Sequence, residues 1–262
     1  MTPRRLSRLT AFCVLSAGVT AAMAQEMAES ADVALEQVVV TAQRRVETLQ
    51  KVPISISALS AEQVQQFGLT RAADLAALVP GLSAAGTIGD SNPVFAIRGI
   101  GLNDQFANNN PTVGVYFDDI VQPYAPLMGF PLFDIERVEV LKGPQGTLYG
   151  RNTTGGAINF ISKAPSQALE GYLSASYGRF DRADIEGAIG GGLSDTFSVR
   201  LAGKLIRQSD GWQTNVFTGQ TIGDKDVKAA RAMALWTPTD ALQIQLKDRK
   251  STRLNSSHPY RS

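Results

Sequence analysis

A glycine-rich run between two β-prone segments constrains the fold of this chain more than any other stretch. Five glycines fall between Gly143 and Gly156, and the flanking segments read VEV at residues 138–140 and INFI at residues 158–161. Because glycine lacks a Cβ, it allows positive φ angles and close approach of other backbone. The run therefore predicts two short strands joined by a tightly folded connection. It lacks the G-x-x-x-x-G-K-[ST] spacing, so it does not indicate a phosphate-binding loop.

The first 24 residues have the composition of an export signal. Three arginines precede an apolar stretch, and small residues flank Met23 at its end, as signal peptidases require. We predict cleavage between Ala24 and Gln25. A membrane-spanning anchor is the alternative, but it needs about 20 apolar residues, more than this stretch offers. The one cysteine, Cys13, lies inside the predicted leader, so the exported part is expected to have no disulfide.

From Leu169 onward, apolar and polar residues alternate over segments of about 10 residues, a pattern typical of transmembrane β-barrel strands. In one such segment the apolar set is Phe197, Val199, Leu201 and Leu205, and the polar set is Ser198, Arg200 and Lys204. The turns expected at residues 193–195 and 238–240 are short, whereas the connection at residues 208–226 is long. Short turns on one side and long loops on the other favour a barrel. A soluble β-sandwich is the alternative.

Residues 52–162 read as a small mixed α/β domain. Ser60 and Gln63 predict a capping box for a short helix that Gly68 ends, and Thr70 is predicted to cap a second helix. Strands are expected at residues 94–98, 113–117, 137–141 and 157–162. Two pairs of acidic residues need an interpretation: we assign Asp118 and Asp119 to a turn or cap, and Glu136 and Glu139 to a solvated or wall-facing side of a strand.

Ordered motifs in this domain closely resemble the plug domain of TonB-dependent outer-membrane receptors. They are PGLS at residues 80–83, IRGIG at 97–101, VGVYFDD at 113–119 and FDIERVEVLKGPQGTLYGRNTTGGAINF at 133–160. Ordered matches are more specific than any single motif. The resemblance implies an α+β plug at residues 50–166, with a small mixed sheet and short helices. It also implies that residues 167–246 form the first five or so antiparallel strands of a transmembrane β-barrel, which in such transporters has about 22 strands.

A β-branched segment lies within the lead at residues 25–49, which we expect to be flexible and periplasmic. Residues 36–45 read EQVVVTAQRR, and such a segment can add as a strand to the sheet of another protein. The resemblance implies that this is the TonB box, in which Val38, Val39, Val40, Thr41 and Ala42 bind the energy-transducing protein TonB, which acts with ExbB and ExbD. An ordinary first strand of the plug sheet is the alternative.

Two arginines, Arg98 and Arg151, lie in motifs where the family's plug carries arginine. The resemblance implies that they meet carboxylates on the inner barrel wall and anchor the plug through charge-assisted hydrogen bonds. Exposed surface arginines are the alternative.

The end of the chain departs from the barrel pattern. Five strands cannot close around a plug, and an unpaired strand edge is not tolerated in lipid, so we expect an N-terminal fragment of a longer protein. Residues 247–262 lose the alternation and become basic, and we expect them to be non-native read-through of a sequencing adaptor. An extracellular loop is the alternative. The one histidine, His258, lies in this tail without a second His or Cys nearby, so no metal site is expected.

The resemblance implies a monomeric receptor in the outer membrane of a Gram-negative bacterium, in contact with its lipid, that imports a bulky small molecule. A ferric siderophore is the leading ligand class, bound as cargo and not as a cofactor. An importer of carbohydrate, aromatic compound or cobalamin is the alternative, and a signal-transducing receptor would carry an extra domain before residue 36. Residues 25–246 are mildly acidic, so nucleic-acid binding is not indicated. No nucleophile and base are spaced as a catalytic pair, so no enzyme is expected.

Overall fold

The computed structural model describes residues 39–41, 45, 47–48, 50, 52–86, 93–102, 109–123, 128–211, 213–219, 221–239 and 241–255. The chain divides into two units at the bond between Val39 and Val40. Only Val39 of the first unit is described. The predicted cleavage residues Ala24 and Gln25, and two residues of the β-branched segment, Val38 and Ala42, lie outside the described residues.

The N-terminal part of the second unit is built around a five-stranded mixed sheet, which we call the plug sheet. Its order is β3-β8-β9-β6-β7, with β6 and β9 parallel and the other pairs antiparallel. The strands are β3 Ile56–Ser60, β6 Val113–Phe117, β7 Ile120–Val121, β8 Ile135–Lys142 and β9 Gly156–Ser162. Two smaller pairs accompany it: β1 Val39–Val40 with β2 Glu47–Thr48, and β4 Leu82–Gly86 with β5 Pro93–Ile97.

Local sequence signals explain most helix ends. The α-helix Ala61–Gln66 begins with the predicted capping box between Ser60 and Gln63, and Gly68 follows it with a φ of 61°. The second helix differs from expectation, since it is a 3-10 helix at Ala72–Ala77 whose N-cap is Arg71. The Asp74 carboxylate accepts hydrogen bonds from the backbone N–H groups of Thr70 and Arg71 at 3.0 and 2.9 Å. The Thr70 hydroxyl itself donates to the Asp74 carboxylate at 3.3 Å. Because the N-cap is Arg71, the prediction that Thr70 caps this helix was wrong.

One face of the plug sheet carries the hydrophobic core. Val138, Val140, Ile158 and Phe160 pack there against Leu75 of the 3-10 helix. The tight connection between β6 and β7 consists of Asp118 and Asp119, with φ angles of 50° and 64°. Two consecutive positive φ values are the mark of a type I′ hairpin turn, so these aspartates serve the turn, as predicted.

The glycine-rich run forms the short α-helix Gly146–Tyr149 and the two bends around it. Gly156 has a φ of +148°, and a Cβ placed there would lie 2.2 Å from the carbonyl oxygen of Leu141 and 2.8 Å from Ile97 Cδ1. No side chain fits this position, because the close neighbour is backbone.

We expect Gly156→Ala to destabilise the plug by roughly 2–4 kcal/mol, through backbone strain and overpacking. The measurement is the thermal unfolding of the full-length receptor in detergent. Gly146→Ala is the matched control, since a Cβ at Gly146 meets nothing within 4 Å. Equal unfolding temperatures for the two variants would contradict this account.

The C-terminal part is a five-stranded antiparallel sheet, which we call the wall. Its order is β10-β11-β12-β15-β16. The strands are β10 Glu170–Gly178, β11 Arg182–Ser194, β12 Phe197–Gln208, β15 Lys225–Thr239 and β16 Leu242–Asn255. The hairpin of β13 Gln213–Thr214 and β14 Thr221–Ile222 lies in the long connection between β12 and β15. In the described part of the chain, no helix has the length and apolar character to cross a membrane.

The two faces of the wall have opposite character. The outer face exposes Leu173, Ile185, Ile189, Leu201 and Leu205, whereas the inner face buries Ser198, Arg200, Lys204, Gln208 and Arg231. This confirms the predicted alternation of apolar and polar residues: the apolar set faces outside and the polar set faces inside. A sheet with one apolar and one polar face is suited to contact lipid on the apolar face and the polar interior of a barrel on the other.

The last strand extends beyond Leu246, where the alternation was predicted to end. β16 pairs with β15 as far as Asn255, because backbone hydrogen bonds do not depend on side-chain pattern. The side chains do change: Asp248 and Lys250 face outward beside Ala232 and Ala230, in rows that carry Leu201 and Gly203 on β12. The outer face therefore becomes charged after Leu246, and the non-native origin of residues 247–262 stays a prediction.

Candidate functional site

The interface between plug and wall centres on Asp134, which directly precedes β8. Its carboxylate accepts hydrogen bonds from Arg200 Nε at 2.9 Å, Arg200 Nη2 at 2.5 Å and Arg231 Nη2 at 2.8 Å. These three side chains are at most 2% exposed. We call them the clasp. The arginines come from two wall strands, β12 and β15, so one plug carboxylate holds both strands.

The plug backbone beside Asp134 is also held by wall side chains. Lys204 Nζ donates to the carbonyl oxygen of Leu132 at 3.0 Å, and Arg231 donates to the carbonyl oxygens of Phe133 and Asp134 at 3.3 and 2.6 Å. The backbone N–H of Asp134 donates to Glu186 Oε1 at 3.1 Å. Because these bonds reach main-chain atoms, they fix the position of residues 132–134 against the wall, in addition to the ion pairs of the Asp134 side chain.

Apolar packing involves the same plug segment as the hydrogen bonds. The Phe133 ring is 2% exposed and lies against Ala188, Ala202 and Ala229, one alanine from each of three wall strands. The Arg231 guanidinium lies over the same ring at 4.9 Å from its centroid, within range of a cation–π interaction. Small inward residues on the wall therefore leave room for a large plug side chain.

A second ion pair lies within the interface. Lys204 pairs with Glu186 at 3.0 Å, next to the clasp. Taking such charges out of water costs several kcal/mol per ion, and mutual attraction offsets this only with good geometry. Removal of one partner then leaves an uncompensated buried charge, at a cost of about 3–5 kcal/mol. The interface is consequently sensitive to each of its charged members.

Residues after Leu246 extend the same interface. Lys247 Nζ lies 2.7 Å from Asp118 Oδ2. Arg249 Nη2 donates to the carbonyl oxygen of Pro131 at 3.2 Å, and its guanidinium lies 4.3 Å from the centroid of the Phe117 ring.

The two arginines predicted to anchor the plug lie elsewhere. Arg98 is exposed, has a φ of 53°, and donates to Ser55 Oγ at 2.9 Å. Arg151 is exposed in the bend after the helix Gly146–Tyr149. Among the described residues, neither forms an ion pair with a carboxylate. The hypothesis that they meet carboxylates of the wall stays a prediction, and the clasp has the opposite polarity, with the carboxylate on the plug.

Thr41, in the β-branched segment, is bound to the plug sheet. Val39 is 41% exposed, whereas Val40 is fully buried. The backbone N–H of Thr41 donates to Glu139 Oε1 at 2.7 Å. Glu139 is itself 0% exposed, so its assignment to a solvated side was wrong, whereas the Glu136 side chain is 44% exposed. The reason is that Thr41 and Arg137 bind the Glu139 carboxylate.

Sequence reasoning missed the clasp, although one signal for it was present. Arg200 and Lys204 fall on the inward positions of a strand that was expected to span the membrane. Charged residues at such depth need partners inside the barrel. The partner of Arg200, Asp134, lies within the FDIERV motif, where the surrounding apolar residues predict a strand.

The fold matches that of known proteins. A family model described as the TonB-dependent Receptor Plug Domain matches residues 48–157. The crystal structure of the ferric yersiniabactin uptake receptor of Yersinia pestis superposes with a TM-score of 0.65 at 27% sequence identity, over 71% of this chain and 29% of that chain. The chain belongs to the TonB-dependent receptors.

Two curated relatives of this TonB-dependent receptor support the same conclusion. The iron-regulated outer membrane virulence protein of Vibrio cholerae is 28% identical over 243 residues, which cover 86% of this chain and 35% of that protein. The ferrichrome outer membrane transporter/phage receptor of Escherichia coli K12 is 34% identical over 209 residues, which cover 73% of this chain and 24% of that protein. The chain thus spans about a quarter to a third of these relatives. It is an outer-membrane protein of Gram-negative bacteria.

Proposed function

We propose that this TonB-dependent receptor imports a bulky ferric siderophore across the outer membrane. Siderophore and iron receptors among its relatives support the ligand class. An importer of another bulky nutrient would share the same plug, since the residues that select the ligand lie mostly in loops and in the remaining barrel wall. The receptor acts by binding and transport, without a catalytic step and without a resident cofactor.

The observation that carries the proposal is the buried clasp of Asp134, Arg200 and Arg231. A plug held against the inner wall by buried charges blocks free diffusion through the barrel. Passage of a large ligand then requires work on the plug, which a passive pore does not need. This favours energised import over a porin or an adhesin.

The source of that work is proposed to be TonB, energised by ExbB and ExbD. Val38, Val39, Val40, Thr41 and Ala42 would pair with TonB by strand addition. Main-chain hydrogen bonds carry such pairing, so it can transmit force without a strict sequence requirement. The proposed chain of events is ligand binding outside, capture of this segment inside, and remodelling of the plug.

Uptake of radioactive iron tests the proposal. Cells that express the full-length receptor in place of their own siderophore receptors are supplied with iron complexed to hydroxamate, catecholate or mixed chelators. We expect accumulation of one chelate class that is lost when TonB is deleted or the proton gradient is collapsed. Accumulation of cobalamin or an oligosaccharide without any iron chelate would support the alternative ligand classes.

The proposed roles of Arg98 and Arg151 have a separate test. If they anchor the plug to carboxylates of the complete wall, Arg98→Glu should place like charges together and weaken plug retention. We expect a higher conductance of the full-length receptor in a planar bilayer. Ser55→Ala is the matched control, because it removes only the hydroxyl that Arg98 contacts at 2.9 Å. Unchanged conductance of Arg98→Glu would refute the anchoring role.

A further inference from the structure

We propose that Glu139, together with Arg137, is a latch that holds Thr41 on the plug sheet. The latch sets how often the segment at residues 38–42 is free to pair with a partner strand. Its purpose rests on the proposed function, whereas its existence as a restraint does not.

Thr41, Glu139 and Arg137 form a cyclic hydrogen-bond network. Glu139 Oε1 accepts from the backbone N–H of Thr41 at 2.7 Å, from Thr41 Oγ1 at 3.1 Å and from Arg137 Nε at 2.8 Å. Arg137 Nη2 in turn donates to Thr41 Oγ1 at 3.1 Å. The threonine hydroxyl therefore donates to the carboxylate and accepts from the guanidinium. This contact joins positions that are 98 residues apart in sequence.

The latch is built on an inner strand of the plug sheet. Glu139 lies in the middle of β8, where it pairs with Ala58 of β3 on one side and Asn159 of β9 on the other. Its side chain points away from the core face that Val138 and Val140 occupy. A strand flanked on both sides gives the carboxylate a fixed position, so Thr41 is the movable partner.

The site is only partly satisfied, which limits how tightly it holds. Glu139 Oε2 and the neighbouring Asn159 Oδ1 are buried, and neither has a hydrogen-bond partner among the described residues. Buried polar groups without partners are costly, and a half-satisfied network is less stable than a complete one. A group kept for stability alone would be better replaced by an apolar side chain. The arrangement suits a contact that forms and opens.

The position of the latch along the chain suits the same role. Val40 and Thr41 are the first residues of the second unit. A pull on the chain at residue 38 therefore loads the bonds of Thr41 before any strand of the plug sheet. Release of Thr41 also exposes Val40, which is otherwise fully buried.

Thiol labelling at residue 40 tests the latch in the full-length receptor, in outer membranes without added ligand or TonB. Cys13, the one cysteine of the sequence, lies in the predicted leader, so Val40→Cys supplies the one thiol of residues 25–262. Any cysteine in the rest of the full-length receptor is first replaced by serine. We expect slow labelling by a maleimide in the V40C receptor, and labelling at least tenfold faster when Glu139→Ala is added. Thr41→Val, which removes the shared hydroxyl but keeps the backbone N–H, should give a smaller increase.

Two controls separate a latch from general loosening. Glu136→Ala removes a carboxylate that binds the same Arg137 but does not touch Thr41, and it should leave the labelling rate within twofold of the parent. Val138→Cys places a thiol at a fully buried core position on the same strand, and it should stay protected in the Glu139→Ala background. Labelling of V40C at the parent rate in Glu139→Ala would overturn the proposal. Equal acceleration at residue 138 would also overturn it, because the whole sheet would then have opened. Because the readout needs neither ligand nor TonB, absence of iron uptake would count against the proposed function and leave the latch in place.

Discussion

Replacing Val39 with proline is expected to abolish TonB-dependent uptake while ligand binding at the cell surface stays within twofold of the parent. Proline lacks the backbone N–H and fixes φ, so it removes a donor from any strand added at this position. Val39 is 41% exposed, so the change does not remove a buried core side chain. The effect should fall on the pairing with TonB.

Initial rates of radioactive iron uptake and equilibrium binding to energy-depleted cells measure the two steps separately. Val39→Ala is the matched control, because it keeps the backbone donor while it shortens the side chain. We expect loss of uptake by at least a hundredfold in the proline variant and nearly full uptake in the alanine variant. Uptake by the proline variant at the parent rate would refute the assignment of residues 38–42 as the TonB-binding segment.

Replacing Asp134 with asparagine is expected to destabilise the contact between plug and wall by about 3–5 kcal/mol. The amide keeps the volume of the carboxylate but leaves Arg200 and Arg231 with uncompensated charge in a site that is at most 2% exposed. The plug should then separate from the wall more often. Single-channel conductance and influx of antibiotics too large for porins report this directly.

Two further variants sharpen the test of the clasp. Asp195→Asn makes the same chemical change at an exposed turn of the wall, where a surface substitution changes stability by about 0.5 kcal/mol or less. Arg200→Met combined with Asp134→Asn should cost less than the sum of the two single changes, since residues in one ion-pair network couple. Additive effects on plug retention would show that Asp134 and Arg200 do not act together.

The local architecture of this chain was largely predictable because short-range patterns determine it. The capping box at Ser60 and Gln63, the turn at Asp118 and Asp119, and the alternation of the wall each depend on residues close in sequence. The structure agrees at all three places. The second helix differed, because its N-cap is Arg71, and the carboxylate of Asp74 reaches back to the N–H groups of Thr70 and Arg71.

The long-range contacts were not predictable from pattern. Asp134 meets arginines 66 and 97 residues away, and Glu139 meets Thr41 across 98 residues. Periodicity identifies which face of a strand a charge occupies, but it does not name the group that approaches that face. Arg98 and Arg151 were predicted as anchors from a motif alone. In the described interface, the plug residue that binds the wall is Asp134 instead.

The order of strands in the plug sheet determines how this domain would respond to a mechanical load. β3, the first of its strands in the chain, lies at the edge and pairs only with β8, whereas β9 lies between β8 and β6. A pull from the N-terminus can therefore peel β3 away one residue at a time, without breaking the pairing of the three inner strands. β9 leads directly into the wall through residues 163–169, so the barrel acts as its fixed support. The remaining strands would keep a template on which β3 can re-form once the tension ends.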